Sequence, residues 1–238
     1  MASKIQPGQI EKLHQLLNNS KGVLLDFDGL LADSEPYHYL AYNEVFERYG
    51  HTINKDEYWV EFTGKGKGIK GEVERYNLKL DVSHEEMRQQ KFEVYSRYCE
   101  NGDIKLFPGA KDLAEKLGAT HKFIIASNSW EHDIRAILKN AKANHLFEQI
   151  IGKNPGKLRE KPHPDIFLKA ANEIGLEPSQ CIVLEDAIKG LKAAKEAGAP
   201  CIIIKNSLNQ SCDFDGADCV LPSLGEFSRG LGNWLAKK

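Results

Sequence analysis

The 238-residue chain contains no run of 18 apolar residues, so no segment matches the length and apolarity of a membrane-spanning helix. Its opening stretch, MASKIQPGQIEKLHQLLNNS, lacks the apolar centre of a secretory signal and has a charged amphipathic middle instead. These absences give the expectation of a soluble, cytoplasmic protein. An excess of one charge is lacking as well. With 32 Lys and Arg against 34 Asp and Glu, the net charge of −2 provides no global pull on nucleic acid or on an anionic membrane. The five cysteines include no Cys-x-x-Cys pair, and no histidines stand at zinc-finger spacing. That pattern speaks for a reducing compartment and against a structural zinc. Cys181 and Cys201 open the apolar runs CIVL and CIII and read as small core residues.

What is present is an alternation. GVLL (22–25), KFIIA (122–126), EQIIG (148–152), CIVL (181–184) and PCIII (200–204) are continuous apolar runs, and DCVL (218–221) is a candidate sixth. Runs of this kind suit parallel strands buried on both faces. Helices are expected between them at about 109–118, 131–140, 164–175 and 187–197, with a further amphipathic helix at 5–19. The pattern predicts an α/β fold with a doubly wound, Rossmann-like parallel sheet. The first crossover is out of rhythm, because 96 residues separate Leu25 from Lys122. Helical signals at about 36–62 and 69–101 predict an inserted α-helical cap, so the expected organisation is a core of 1–35 and 106–238 with a cap of 36–105. Asp33 and Ser34 are expected to cap the helix that opens at Glu35-Pro36, and Trp59 and Phe62 to fill the cap's core.

Ligands in open α/β sheets sit at the carboxyl ends of the strands. Here those ends carry Asp26-Phe27-Asp28-Gly29, Ser127-Asn128-Ser129 and Glu185-Asp186, while Glu160-Lys161-Pro162 precedes a helix. Two carboxylates two residues apart can divide the work, one as an ionised nucleophile and the other as a general acid and base. Glu185 and Asp186 add acidic oxygens, and such a cluster repels itself unless a hard cation such as Mg²⁺ joins it. Cation, hydroxyl, backbone N–H groups and Lys161 together form a trap for an anion, and a phosphoryl group suits it best. The tetrapeptide DFDG alone is weak, since it occurs twice; the copy at 213–216 has no apolar run leading into it and reads as a turn.

The motifs DFDGLLADSEP (26–36), IIASNS (124–129), EKPHPDIF (160–167) and VLEDAIKG (183–190) resemble, in order, those of the haloacid dehalogenase-like superfamily of Mg²⁺-dependent phosphotransferases. Within it the chain is similar to the sugar-phosphate phosphatase and β-phosphoglucomutase branch. The resemblance implies that Asp26 forms an aspartyl-phosphate and that Asp28 protonates the leaving oxygen and later takes a proton from water. It further implies that Ser127 and the Asn128 N–H hold phosphoryl oxygens and that Lys161 stabilises the anion. Mg²⁺ would be bound by Asp26, the Asp28 carbonyl and Asp186, with Glu185 direct or through water. His38 lies twelve residues past Asp26, where the mutase relatives also carry a histidine. The Gly/Lys-rich loop from Thr63 to Gly71 is expected to reach substrate, with Gly64 in it and Lys65 or Lys67 meeting an anionic group.

Asp28 argues against dehalogenase and phosphonatase chemistry, whose relatives lack an Asp two residues past the nucleophile. No Gly-x-Gly-x-x-Gly follows the first strand, which argues against a nicotinamide or flavin enzyme. A non-catalytic phosphate-binding module would have no reason to keep Asp26, Asp28, Lys161 and Asp186 together. The mutase grip on a second phosphate resembles Ser-x-Ser-Lys-Asn, whereas Trp130-Glu131 follows Ser129 here and Lys67 stands at the cap position of an Arg. The expected activity is therefore a Mg²⁺-dependent phosphatase of small phosphorylated metabolites such as sugar or polyol phosphates, with the mutase as the alternative. The expected partner is that small metabolite, with neither nucleic acid nor membrane.

Overall fold

Each apolar run becomes a strand of one sheet in the computed structural model, which describes residues 5–64, 67–154 and 156–237. The strands are β1 (Gly22–Leu25), β2 (Lys122–Ala126), β3 (Ile150–Ile151), β4 (Cys181–Glu185), β5 (Cys201–Ile204) and β6 (Cys219–Leu221). They lie in the order β3-β2-β1-β4-β5-β6, every pairing parallel. All residues of β1, β4 and β5 are buried, as strands covered on both faces must be. Cys181 and Cys201 lie inside this core, where burial raises both thiols, that of Cys181 to about 11.

The helices are α1 (Pro7–Asn19), α2 (Glu35–Glu47), the single turn α3 (Lys55–Glu57), α4 (Gly68–Tyr76) and α5 (His84–Asn101). After them come α6 (Ala110–Gly118), α7 (Glu131–Asn140), α8 (Asp165–Glu173), α9 (Ile188–Glu196) and α10 (Leu224–Leu235). The chain divides into two compact units, Met1–Asp33 with Lys105–Lys238, and Ser34–Ile104.

The smaller unit divides each of the two helical stretches expected of it into shorter helices. The first stretch breaks after α2 at Gly50, with φ of +76°, and restarts where the Asn54 side chain accepts from Asp56 N and Glu57 N. A π-helical stretch, Tyr58–Gly64, follows. The second stretch breaks at Asn77, with φ of 48°, and α5 begins at a capping box between Ser83 and Glu86. Phe62 is buried there among Tyr42, Phe46 and Tyr58, and Trp59 packs edge-on to Tyr58. Ser34 stands at the N-cap position of α2, but it is fully buried with helical angles of −94° and −22°, and its side chain does not supply the expected cap bond. Side-chain capping goes with an extended backbone at that position, whereas here only the Ser34 carbonyl serves the helix, accepting from Tyr37 N and His38 N. Lys65 lies outside the described residues. No helix among those described is long and apolar enough to cross a membrane.

Connections leave β1 and β4 toward opposite sides of the sheet, so these adjacent strands flank its topological switch point. Their register aligns Leu25 with Leu184, and Asp26 N donates to Leu184 O at 3.0 Å. On the other side Leu25 aligns with Ile125, and Ser127 N donates to Ile151 O at 3.0 Å. Strand register alone thus gathers Asp26, Glu185 and Ser127 at one edge.

Candidate active site

Asp26 leaves the sheet as a largely buried carboxylate beside Lys161, which is itself 6% exposed. The Lys161 ammonium donates to Asp26 Oδ1 at 2.6 Å and to Glu185 Oε1 at 2.7 Å, and lies 4.6 Å from the centre of the Phe167 ring. Burial works to lower the Lys161 pKa, but the carboxylates of Asp26 and Glu185 outweigh it and raise it, so the ammonium stays charged. For Asp26 burial is the leading influence. With the nearby charges of Glu185 and Asp28 it outweighs Lys161 and pushes the carboxyl up from 3.8 to about 7.

Glu185 is held at both oxygens. While Oε1 accepts from Lys161, Oε2 accepts from Asp186 N at 3.0 Å and Ala187 N at 3.1 Å. These N–H groups lead into α9, where an anion is favoured. Gly190 explains how the side chain fits, since a Cβ at 190 would stand 1.8 Å from the Glu185 carboxyl. Gly29 plays the same part for Asp186: its φ is +75°, and a Cβ would stand 2.2 Å from Asp186 Oδ2.

Asp28 stands in a different environment from Asp26. Its Oδ2 accepts from Ser129 Oγ at 2.6 Å and from Ser127 Oγ at 3.1 Å, while Ser129 N donates to Ser127 Oγ at 3.0 Å. Asn128 is drawn into the site by its side chain, whose Oδ1 accepts from Lys161 N at 3.1 Å. Lys153 N donates to Ser129 O at 2.8 Å and the Lys153 ammonium pairs with Glu160 at 2.5 Å, tying the exits of β2 and β3 to the loop that carries Lys161.

The larger unit therefore brings Asp26, Asp28, Ser127, Asn128, Lys161, Glu185 and Asp186 to one edge of the sheet. The remaining candidates lie in the smaller unit, each with its own surroundings. His38 stacks on Tyr95 at 3.9 Å between ring centres, and its Nδ1 accepts from the buried Lys91 ammonium at 2.8 Å. Lys67 pairs with Glu61 at 3.0 Å, and Gly64 closes the π-helical stretch. Three site residues carry no role in the sequence reading: Ser129, Asn206 and Asn209. Asn206 Nδ2 donates to Gly29 O at 2.9 Å and to Asp186 Oδ2 at 2.8 Å, and Asn209 Nδ2 donates to Asp186 O at 2.8 Å. Both asparagines follow β5 at the same sheet edge, so the strand-end rule extended to β5 finds them.

Asp26, Glu185 and Asp186 each offer a carboxylate oxygen, and these oxygens lie within 4.8 Å of one another. An all-oxygen, partly buried donor set of this kind fits a hard divalent cation.

Comparison with known proteins agrees with this chemistry. The family model described as haloacid dehalogenase-like hydrolase matches residues 23–204. A Drosophila melanogaster protein named "Probable pseudouridine-5'-phosphatase" is 31% identical, over 90% of this chain and 94% of its own. Protein CbbY of Cereibacter sphaeroides is 30% identical, over 87% of this chain and 93% of its own. The crystal structure of a mutant CbbY from Rhodobacter sphaeroides in complex with xylulose-(1,5)-bisphosphate superposes with a TM-score of 0.73 at 27% identity, covering 87% of this chain and 96% of that one. On the matched length, the sheet and the strand-end carboxylates, the chain belongs to the haloacid dehalogenase-like hydrolase family, as a phosphatase of it.

Proposed function

We propose that the protein is a Mg²⁺-dependent phosphohydrolase of small phosphorylated metabolites, with sugar and polyol phosphates as its substrate class. The observation that carries this reading is the unlike treatment of two carboxylates two residues apart. Asp26 lies buried against Lys161 and Glu185, whereas Asp28 is held by two serine hydroxyls. Carboxylates placed in different environments take different roles, and the Lys161 ammonium 2.6 Å from Asp26 opposes the effect of burial and favours the ionised form that attack requires. Asp26 attacks phosphorus and Asp28 gives its proton to the departing alcohol oxygen, leaving an aspartyl-phosphate on Asp26. Asp28, now ionised, takes a proton from the water that attacks the phosphorus, and inorganic phosphate leaves with Asp26 restored. Lys161, the Ser127 hydroxyl and the Asn128 N–H are assigned to the phosphoryl oxygens. Asp26, Glu185, Asp186 and the Asp28 carbonyl would hold Mg²⁺, which supplies charge neutralisation at the phosphoryl group. The smaller unit is assigned the choice of the alcohol, with His38, Gly64 and Lys67 as contacts.

The first test is phosphate release from a panel of sugar and polyol phosphates, with Mg²⁺ and with chelator. Metal-dependent release from a subset is expected. Conversion of β-glucose-1-phosphate to glucose-6-phosphate with little free phosphate would favour the mutase, and silence throughout would defeat the reading.

Ser129 is a positioning residue in this scheme. Hydrogen bonds to a charged group contribute about 1.5–3 kcal/mol, so Ser129→Ala is expected to lower kcat/KM by roughly 10- to 100-fold. Ser129→Thr, which keeps the hydroxyl, should recover most of that loss. Equal activity of the Ala variant and the wild type would remove Ser129 from the mechanism.

A further inference from the structure

The loop after β5 holds the acidic cluster from outside the four motifs. It turns on itself at Asn206-Ser207-Leu208-Asn209: Asn206 Oδ1 accepts from Leu208 N at 2.8 Å and Asn209 N at 3.2 Å, and Asn209 Oδ1 accepts from Asn206 N at 2.9 Å. This self-closure is the ordinary use of asparagine in a turn. With its oxygen engaged inside the turn, Asn206 directs its amide nitrogen outward. That nitrogen has two N–H donors, and both are used, one on Gly29 O and one on Asp186 Oδ2. One amide group therefore spans the exits of β1, β4 and β5. Asn209, 6% exposed, adds a bond from its nitrogen to Asp186 O and another to Ile204 O at 3.2 Å.

Lys161 pairs with Asp26 and Glu185, while the Asn206 amide bonds the third carboxylate, Asp186. A neutral amide orients a carboxylate without opposing a cation. We propose that Asn206 is a positioning residue for the cation site. It fixes the rotation of the Asp186 carboxylate and its distance from the loop that carries Asp26 and Asp28, so the ligands stand ready before the cation arrives. This rests on the reading of Asp26, Glu185 and Asp186 as cation ligands.

The test is calorimetric titration of the full chain with MgCl₂ and MnCl₂, paired with thermal melts in chelator. Wild type, Asn206→Ala, Asn206→Ser and Ser207→Ala are compared; the serine variant keeps a short acceptor for the turn but lacks the reach to bridge Gly29 and Asp186. Loss of a group that orients a metal ligand costs about 10- to 100-fold in affinity, and that weakening is expected for both Asn206 variants. Ser207→Ala should bind as wild type does, and the chelator melts of the serine variant should stay close to wild type. A serine variant that binds within about twofold of wild type overturns the role of Asn206, as does equal weakening in Ser207→Ala. Should the alanine variant fail to fold, the serine variant decides. A wild type that binds neither cation overturns the reading of the carboxylate cluster itself, a separate failure.

Discussion

Asp26→Asn is expected to abolish phosphate release while making the metal-free protein more stable. The first effect follows from the proposed bond to phosphorus. An amide oxygen is a poor nucleophile, and removing a covalent nucleophile costs at least ~10⁴-fold in turnover. The second follows from charge. Asp26, Asp28, Glu185 and Asp186 crowd one sheet edge, Lys161 pairs with only two of them, and the Asp26 carboxyl rises from 3.8 to about 7. Between those two values the folded wild type retains a proton that the unfolded chain has released. Stability falls with pH wherever the folded state binds more protons, so the wild type weakens from about pH 4 to pH 7 relative to a variant that cannot ionise there. In chelator, the melting temperature of Asp26→Asn should exceed that of wild type by more at pH 8 than at pH 5. An equal gap at both pH values would contradict the charge account, and turnover in the pure variant would remove Asp26 as nucleophile. The same residue then limits stability and provides activity, a trade common at active sites.

The sheet was legible because each of its strands is written as a continuous apolar run, and the site because its polar residues stand directly after those runs. Asp26, Ser127 and Glu185 needed only register to meet. Lys161 was legible as a lysine ahead of a helix, but its bridge between Asp26 and Glu185 depends on the tertiary path of its loop. The smaller unit was legible as helical and poorly as separate helices. Its breaks are set by single residues, Gly50, Asn54, Asn77 and Ser83, within sequence whose polar–apolar pattern continues across them. Ser83 with Glu86 was a readable start signal, whereas the fully buried Ser34 stands at the cap position without the side-chain bond its type suggests. Ser129, Asn206 and Asn209 escaped for another reason. Each acts on a carboxylate far away in sequence, and serine and asparagine after a strand are equally at home in an ordinary turn.

Lys161→Met is expected to cost the metal-free protein more stability than any other single change at the site. Methionine matches the length and apolar stem of lysine, so packing beside Phe167 is kept and the charge alone is removed. Asp26 and Glu185 then face each other, largely buried, with no cation between their paired oxygens. Removing one partner of a buried ion pair costs about 3–5 kcal/mol. Since 1 kcal/mol moves the melting temperature of a protein this size by about 2–4 °C, the fall should be roughly 10 °C. A proton on Asp26 can replace part of the lost charge, so the fall should be smaller at pH 5.5 than at pH 8. Phosphate release should be lost as well, because the charge assigned to the phosphoryl group is gone. Added Mg²⁺ distinguishes this account from simple packing damage. A cation bound by Asp26, Glu185 and Asp186 returns positive charge to the oxygens that Lys161 left, so Mg²⁺ should raise the melting temperature of the variant by more than it raises that of wild type. Equal shifts would mean that lysine and cation act on separate sites, and the acidic cluster would then need another explanation than cation binding.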